Sequence, residues 1–395
     1  MFRRNQVIWL PCVMLALAAS GAAADPAPTT LKQAFEAAWQ RQPETLSQQM
    51  RQEAAAAQQQ AATRWTAEPV ALELSAKTDR LNQNLGRDET VAGISIPLWL
   101  PGERTRTGAV ADAQARAANS RVRAAQLRTA AHVREAYWAW QRARIDHVLA
   151  GELFGHAQQL AKDVGKRVQA GDLARADQHQ ADGAMASAEV ALAEATGALA
   201  TTAQRLRALS GQVPQVPAAG PSGGRVVGVI GAEPMPVLPA DSATLMATHP
   251  AVAELQDSAD VAQRSAELAQ VQTRANPELT LATSRDRGQS DEAYQHSITL
   301  GIRIPLGSSS SNQAKRASAQ ADAMEAQAQV RLESERLLGE VEAARVGLVS
   351  AQTQLAAAQR RALLARESRV FFQKSFQLGE TDLPTRLRME REAMD

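Results

Sequence analysis

The chain has 395 residues, long enough for more than one domain, and its 43 Lys and Arg nearly balance its 42 Asp and Glu. That balance offers no case for nucleic acid as a partner. Only 4% of residues are aromatic, while Ala, Gln, Glu and Arg dominate, a composition of long helices rather than of compact mixed domains.

The N-terminus has a basic head (Arg3, Arg4), an apolar run over Val7–Ala19, and Ala22-Ala23-Ala24 before Asp25. It reads as a secretory signal peptide over residues 1–24. A first transmembrane helix is the rival, but the apolar run is short for one. Cleavage would remove two arginines and leave 41 basic against 42 acidic residues. Cys12, the only cysteine, lies inside the run and would leave with it. Trp9-Leu10-Pro11 before it lack the small residues of a lipoprotein acylation site. The mature protein is therefore expected to carry neither thiol nor disulfide, although bound for an oxidising compartment. No later segment approaches twenty consecutive apolar residues, so any entry into a membrane would require a closed β-barrel.

A first repeat is expected over residues 25–210. Leu31–Trp65 is helical in pattern, with Leu31, Phe35, Ala38 and Trp39 on one face and Pro43 interrupting it. A strand at about 69–78 follows, where Val70, Leu72, Leu74 and Ala76 alternate with Ala71, Glu73, Ser75 and Lys77. A polar loop with Asn82, Asn84 and Gly86 leads to a second strand at about 89–98, ETVAGISIPL. An α-hairpin is then predicted over about 103–210. Its first helix runs without proline to Gln169, roughly 100 Å at about 1.5 Å per residue. Ala170-Gly171-Asp172 break it at the tip.

Residues 211–240 form a linker rich in Pro and Gly, and a second repeat follows over 241–395. Strands are expected at about 277–286 and 294–306. In the latter, His296, Ile298, Leu300, Ile302, Ile304 and Leu306 alternate with Ser297, Thr299, Gly301, Arg303 and Pro305. Another α-hairpin starts at about 311 and breaks at Leu378-Gly379-Glu380. Pro69 and Pro277, Pro97 and Pro305, and Gly171 and Gly379 each lie 208 residues apart. Three punctuators at one offset indicate a tandem duplication of helix, β-hairpin and long α-hairpin. The fold class is mostly α with a β contribution.

The second long helix carries a heptad: Val330, Leu337, Ala344, Ala351, Ala358, Ala365 and Phe372, supported by Val341, Leu348, Leu355 and Ala362. Moving back by 208 gives Val122, Thr129, Ala136, Ala143, Ala150, Ala157 and Val164. A sustained period of 3.5 demands packed helical partners, and alanine means close approach. In the first copy 40 residues separate Gly171 from Gly211, whereas 16 follow Gly379. Internal symmetry thus gives the expectation that the last helix is truncated by roughly 24 residues.

Chemistry is not signalled. The six histidines (132, 147, 156, 179, 249 and 296) include no pair at three- or four-residue spacing and adjoin no cysteine or carboxylate cluster. There is no phosphate loop, no GxSxG and no mature cysteine nucleophile. No enzyme activity, cofactor or metal site is expected.

The duplication, the Pro-Leu strand ends and the two glycine tips resemble the TolC family of outer-membrane efflux channels. The short motifs are Lys166-Arg167-Val168-Gln169-Ala170-Gly171-Asp172-Leu173 and Phe376-Gln377-Leu378-Gly379-Glu380. The resemblance implies a homotrimer in the outer membrane, each chain giving four strands to one twelve-stranded barrel, with a helical tube in the periplasm. It also implies a passive duct of a tripartite efflux system, working with a periplasmic adaptor and an inner-membrane pump. Ile-Pro-Leu-Trp-Leu-Pro-Gly-Glu-Arg (96–104) is similar to the segment in members serving heavy-metal efflux. A periplasmic adaptor and a secreted structural coiled coil are the alternatives. An adaptor has one hairpin and β-rich flanks, which does not fit two equal copies; a plain coiled coil leaves the four strands unexplained.

Three sets of residues follow. The tips that would dock an adaptor are Arg167, Ala170, Gly171, Asp172 and Leu173 with Leu378, Gly379 and Glu380. A periplasmic constriction would fall at Glu380, Asp382, Thr385 and Arg388. Family members often have aspartates six and nine residues after the second tip glycine, where this chain has Thr385 and Arg388. In the barrel, Leu72, Leu74, Ile94, Ile96, Ile298, Leu300, Ile302 and Ile304 should face lipid. Glu73, Ser75, Lys77, Ser95, Thr299 and Arg303 should face the lumen. Trp65 and Trp99 flank strand ends and could anchor at the interface or pack against the helix start.

Overall fold

A computed structural model of the chain describes residues 30–81, 84–214, 233, 241–306 and 310–394. The signal peptide expected over 1–24 and most of the linker lie outside the described residues.

Proline and capping chemistry set the first elements. Thr30 and Gln33 form a reciprocal capping box that starts α1 (Leu31–Gln40), and Pro43 opens α2 (Pro43–Thr63) as its first residue. The single interrupted helix read from the sequence is thus two helices. Next come β1 (Ala71–Thr78) and β2 (Asp88–Pro97), then α3 (Glu103–Ala170) and α4 (Arg175–Ser210). The second repeat supplies α5 (Ser242–Thr248), α6 (Pro250–Val271), β3 (Glu278–Arg287), β4 (Gln295–Arg303), α7 (Ser310–Gln377) and α8 (Leu383–Met394). The two longest helices, α3 and α7, have 68 residues each, about 100 Å at ~1.5 Å per residue. No described helix is long and apolar enough to cross a membrane.

One correction concerns the last strand, which the sequence pattern carried to residue 306. Pairing ends at Arg303, opposite Glu278. Pro305 has no N–H to give, and β4 has no partner on its outer side, so nothing holds Ile304–Leu306 in a ladder. Pro97 stays in β2 because that strand is central and Glu278 of β3 lies opposite.

The four strands form one antiparallel sheet in the order β1-β2-β3-β4, so the two repeats meet at the β2–β3 pair. The helices pack beside one another. α1 inserts Ala34 and Ala38 between α3 and α4, where Val133, Tyr137, Trp140 and Leu206 close a core cluster. The alanines have the smallest side chains that still present a methyl, and they let the helices approach the Trp140 ring. α6 lies antiparallel to α3, and Arg106, Arg116 and Arg128 pair with Glu267, Asp260 and Glu254 down its length. These pairs are part-exposed, so each contributes at most about 1 kcal/mol. They fix the register of one repeat on the other.

The two heptad seams differ. In α3, Thr129, Ala143, Ala157 and Val164 are buried within the chain. In α7, Leu337 is buried, but Leu348 and Leu355 are exposed. Val346, Val349, Leu363, Leu364, Val370 and Phe371, off that seam, are exposed too. The apolar surface of α7 is therefore broader than the narrow stripe counted in the sequence.

Candidate functional site

The sheet sorts its side chains into two faces. The register places Leu72, Ile94, Leu281 and Leu300 in one row across all four strands, with Leu74, Ala92, Thr283 and Ile298 in the next. Ile96, Leu279 and Ile302 make a third row on the same side. These residues are largely uncovered: Ile298 is 80% exposed and Leu300 72%. A contiguous apolar face of this extent would be a liability in water.

The opposite face carries the polar set. Glu73 lies in the row of Gly93, Ala282 and Thr299, and Ser75 in that of Val91, Ser284 and Ser297. Lys77, Glu89, Asp286 and Gln295 form the row nearest the hairpin loops. At the helix end, Ser95 is 4% exposed and its hydroxyl donates to Glu278 Oε2 at 3.4 Å, while Arg303 lies 3.9 Å from the same carboxylate. All six residues proposed from the sequence for one face therefore share it. Trp65 is exposed, whereas the Trp99 indole N–H donates to the carbonyl of Arg64.

A buried carboxylate joins sheet to helices. Glu103, in the first turn of α3, is 3% exposed. Its Oε2 accepts from the backbone N–H of Leu100 and from Asn276 Nδ2, each at 3.0 Å, and its Oε1 accepts from Gln272 Nε2 at 2.8 Å. Gln272 and Asn276 lie between α6 and β3, so one carboxylate ties the strand-to-helix corner of the first repeat to the helix-to-strand corner of the second. The sequence reading used Glu103 only as a helix start. Nothing local marks its two partners, which are 169 and 173 residues away.

At the far end both hairpin tips turn in the same way. Gly171 (φ 87°) and Gly379 (φ 77°) are left-handed, a conformation costly for any residue with a Cβ. The N–H of Asp172 reaches the carbonyl of Arg167 at 2.8 Å, and that of Glu380 reaches Ser375 at 3.0 Å. Each is the closing bond of a Schellman turn. Ala170, Gly171, Asp172, Leu378, Gly379 and Glu380 are exposed, while Leu173 packs against the cluster beneath.

That cluster holds the tips together. Leu160, Ala161 and Val164 of α3, Ala181 of α4, Phe376 of α7 and Leu383 of α8 bury one another. Arg167 and Arg386 lie at 5.2 and 4.8 Å from the Phe376 ring centroid, and burial holds the Arg386 guanidinium below its ordinary pKa. Phe376 enters the sequence reading only as the first residue of the tip motif Phe376–Glu380, and Arg386 carries no signal of its own. Of the constriction set, Asp382 receives the Thr385 N–H at 3.3 Å and caps α8. Hydrogen bonds from the Thr385 side chain and then its backbone hold that carboxyl below its usual value. Arg388 is exposed, on the rim of a cleft between α3, α4 and α8. Among the described residues there is no cluster of His, Cys, Asp and Glu able to hold a metal.

Comparison with known proteins gives a consistent picture. Residues 34–212 match the family described as outer membrane efflux protein. No curated protein sequence matches the chain. Among solved structures, CusC is similar with a TM-score of 0.73 at 19% identity, covering 92% of this chain and 86% of that one. The outer membrane protein VceC of Vibrio cholerae gives 0.70 at 18% identity, covering 92% and 90%. The CmeC outer membrane channel of Campylobacter jejuni gives 0.73 at 14% identity, covering 92% and 80%.

Proposed function

From the match of residues 34–212 to the outer membrane efflux protein family we propose that the chain is the outer-membrane channel of a tripartite efflux system. The single observation that carries the reading is the exposed apolar face of a sheet with two open edges. Lipid removes the cost of that face, because a membrane span of β-structure needs apolar side chains outward. It also forbids the open edges, since unpaired N–H and C=O groups in hydrocarbon cost several kcal/mol each. β4 must then pair with β1 of another copy until the sheet closes. Three copies, the number the family implies, give twelve strands. Strands of eight to ten residues suit a tilted span.

In this arrangement Leu72, Leu74, Ile94, Ile96, Ile298, Leu300, Ile302 and Ile304 face lipid. Glu73, Ser75, Lys77, Ser95, Thr299 and Arg303 line the water-filled lumen. The long helices of three chains make the tube in the periplasm, and the broad apolar surface of α7 is covered by neighbouring protomers. The tips at Gly171 and Gly379 meet the hairpin of a periplasmic adaptor. The inner-membrane pump chooses the substrate, and this chain conducts it without catalysis. Reconstitution in planar bilayers tests the proposal. Stepwise conductance from heat-resistant trimers is expected; a soluble monomer with no conductance would overturn it.

A further inference from the structure

At the loop end of the sheet, the arginines of β3 are sorted to one face. Arg285, Asp286 and Arg287 are consecutive in β3, so the two guanidiniums share a side and the carboxylate takes the other. The register extends the sorting: Ala76, Thr90, Arg285 and His296 form one row, immediately beyond Leu74, Ala92, Thr283 and Ile298. The same height on the opposite face holds Lys77, Glu89, Asp286 and Gln295. Two guanidiniums thus crown the apolar face, with the Asp88 carboxylate directly opposite Arg287 on the same side, while carboxylates outnumber the lone lysine in the polar row.

Tyr294 organises this crown. Arg285 lies 3.8 Å and Arg287 4.7 Å from its ring centroid, and its hydroxyl donates to Asp88 at 3.2 Å. Arg287 Nε also donates to the Gly86 carbonyl at 3.0 Å. A guanidinium has five N–H donors. Among the described residues the Arg285 guanidinium makes no hydrogen bond or ion pair, and that of Arg287 uses one donor on Gly86. Both guanidiniums are therefore held in place with donors to spare.

Their height matters. From Glu278 to Arg287, β3 advances nine residues of paired strand, about 30 Å at ~3.3 Å per residue. A tilt of about 45° reduces this to roughly 21 Å, close to the apolar band of a membrane barrel. The arginine row then sits where hydrocarbon gives way to headgroups. We propose that Arg285 and Arg287, held on Tyr294, together with His296 in the row of Arg285, bind the phosphate of a lipid headgroup in the leaflet on the loop side. The inference rests on the lipid-facing assignment made above. Phosphate matches the forked guanidinium donors geometrically as well as in charge, and the tyrosine adds the amphipathic ring suited to that depth.

The test uses the full-length trimer in an uncharged detergent, with mixed micelles of phosphatidic acid and phosphatidylcholine, and measures the lipid retained per trimer by native mass spectrometry. Phosphatidic acid should be preferred by about fivefold per arginine, and Arg285→Gln should remove about that factor. The Arg285 side chain bonds no backbone group among the described residues, so this variant leaves the loop intact. Lys77→Gln, on the other face, should keep the preference. Inorganic phosphate at millimolar concentration should not displace the lipid; displacement would assign the site to a soluble anion and overturn the proposal. Equal retention of both lipids, or an unchanged preference in Arg285→Gln, would also overturn it. Conductance measured on the same preparation separates the two ideas. A conducting trimer without lipid preference sinks the lipid site alone, whereas a chain that neither inserts nor conducts sinks the channel reading first.

Discussion

Arg167 and Phe376 belong to different repeats, 209 residues apart, and meet at the hairpin tips. The guanidinium lies 5.2 Å from the ring centroid, and its two terminal nitrogens donate to the carbonyls of Phe376 and Gln377 at 3.4 Å. A side chain of the first hairpin thus satisfies the open carbonyl end of α7 in the second, where a cation also complements the helix dipole. Arg386 covers the ring at 4.8 Å, so opening the tips would part three groups together.

Truncating that ring should loosen the tips. Phe376→Ala removes a buried aromatic and is expected to cost about 3–5 kcal/mol of local stability. Arg167→Lys keeps the charge but loses the fork, and should cost about 1 kcal/mol. Limited proteolysis near residues 370–385, together with thermal unfolding, should rank the two variants in that order. Equal resistance of Phe376→Ala and the parent would remove the clasp from the account.

The Glu103 knot is a second test. Glu103→Ala leaves three N–H donors without their acceptor, and about 3 kcal/mol of destabilisation is expected. Asn276→Ala should cost less alone and add little to Glu103→Ala, with a coupling energy of about 1 kcal/mol. Denaturant unfolding of the four proteins in the cycle would measure it. Additive effects would mean the two corners are not linked through this carboxylate.

These contacts mark where the sequence stopped being informative. Alternation at His296–Leu306, the prolines and the tip glycines are local signals, because backbone geometry within a few residues produces them. They were enough to place four strands, two long hairpins and the two faces of the sheet. Leu74 and Ile298 share a row through the register of Leu74 with Ala92, Ala92 with Thr283, and Thr283 with Ile298, which no single stretch encodes. The same holds for Glu103 with Asn276 and for Arg167 with Phe376. Each partner is unremarkable in its own segment, and only the pairing of the two repeats brings them together. Pro305 misled in the other direction: the alternation continues past Arg303, but the ladder does not.

The exposed tips should be sensitive to bulk without bearing on folding. Tryptophan at Ala170, Asp172, Leu378 or Glu380 is expected to abolish export while leaving heat-resistant trimers intact. Growth in the presence of the exported compound, scored beside trimer content on gels, checks this. Normal export by all four variants would place adaptor contact elsewhere.

Asp382 should confer a pH dependence on α8. Its carboxyl is held below the ordinary value of 3.8 by the Thr385 hydroxyl and N–H. The folded pKa is depressed, so the cap contributes fully above 3.8 and is lost only as pH falls through the lower, folded value. The stability difference between the parent and Asp382→Ala should therefore be constant from pH 7 to pH 5 and vanish in stronger acid. A difference that disappears already at pH 5 would contradict the capping role.

The central claim is that one face of the sheet meets lipid and the other meets water. Arginine placed at Leu300 should cost about 2–4 kcal/mol, whereas arginine at Thr299 should be tolerated. Cysteine labelling reads the faces most directly, since Cys12 is the only cysteine in the chain and lies in the segment expected to be cleaved. Single cysteines at Ser297, Ile298, Thr299 and Leu300 are treated, in membranes, with a water-soluble thiol reagent. The account predicts labelling at 297 and 299 and protection at 298 and 300. Labelling at 298 and 300 with protection at 297 and 299 would turn the sheet over and contradict it.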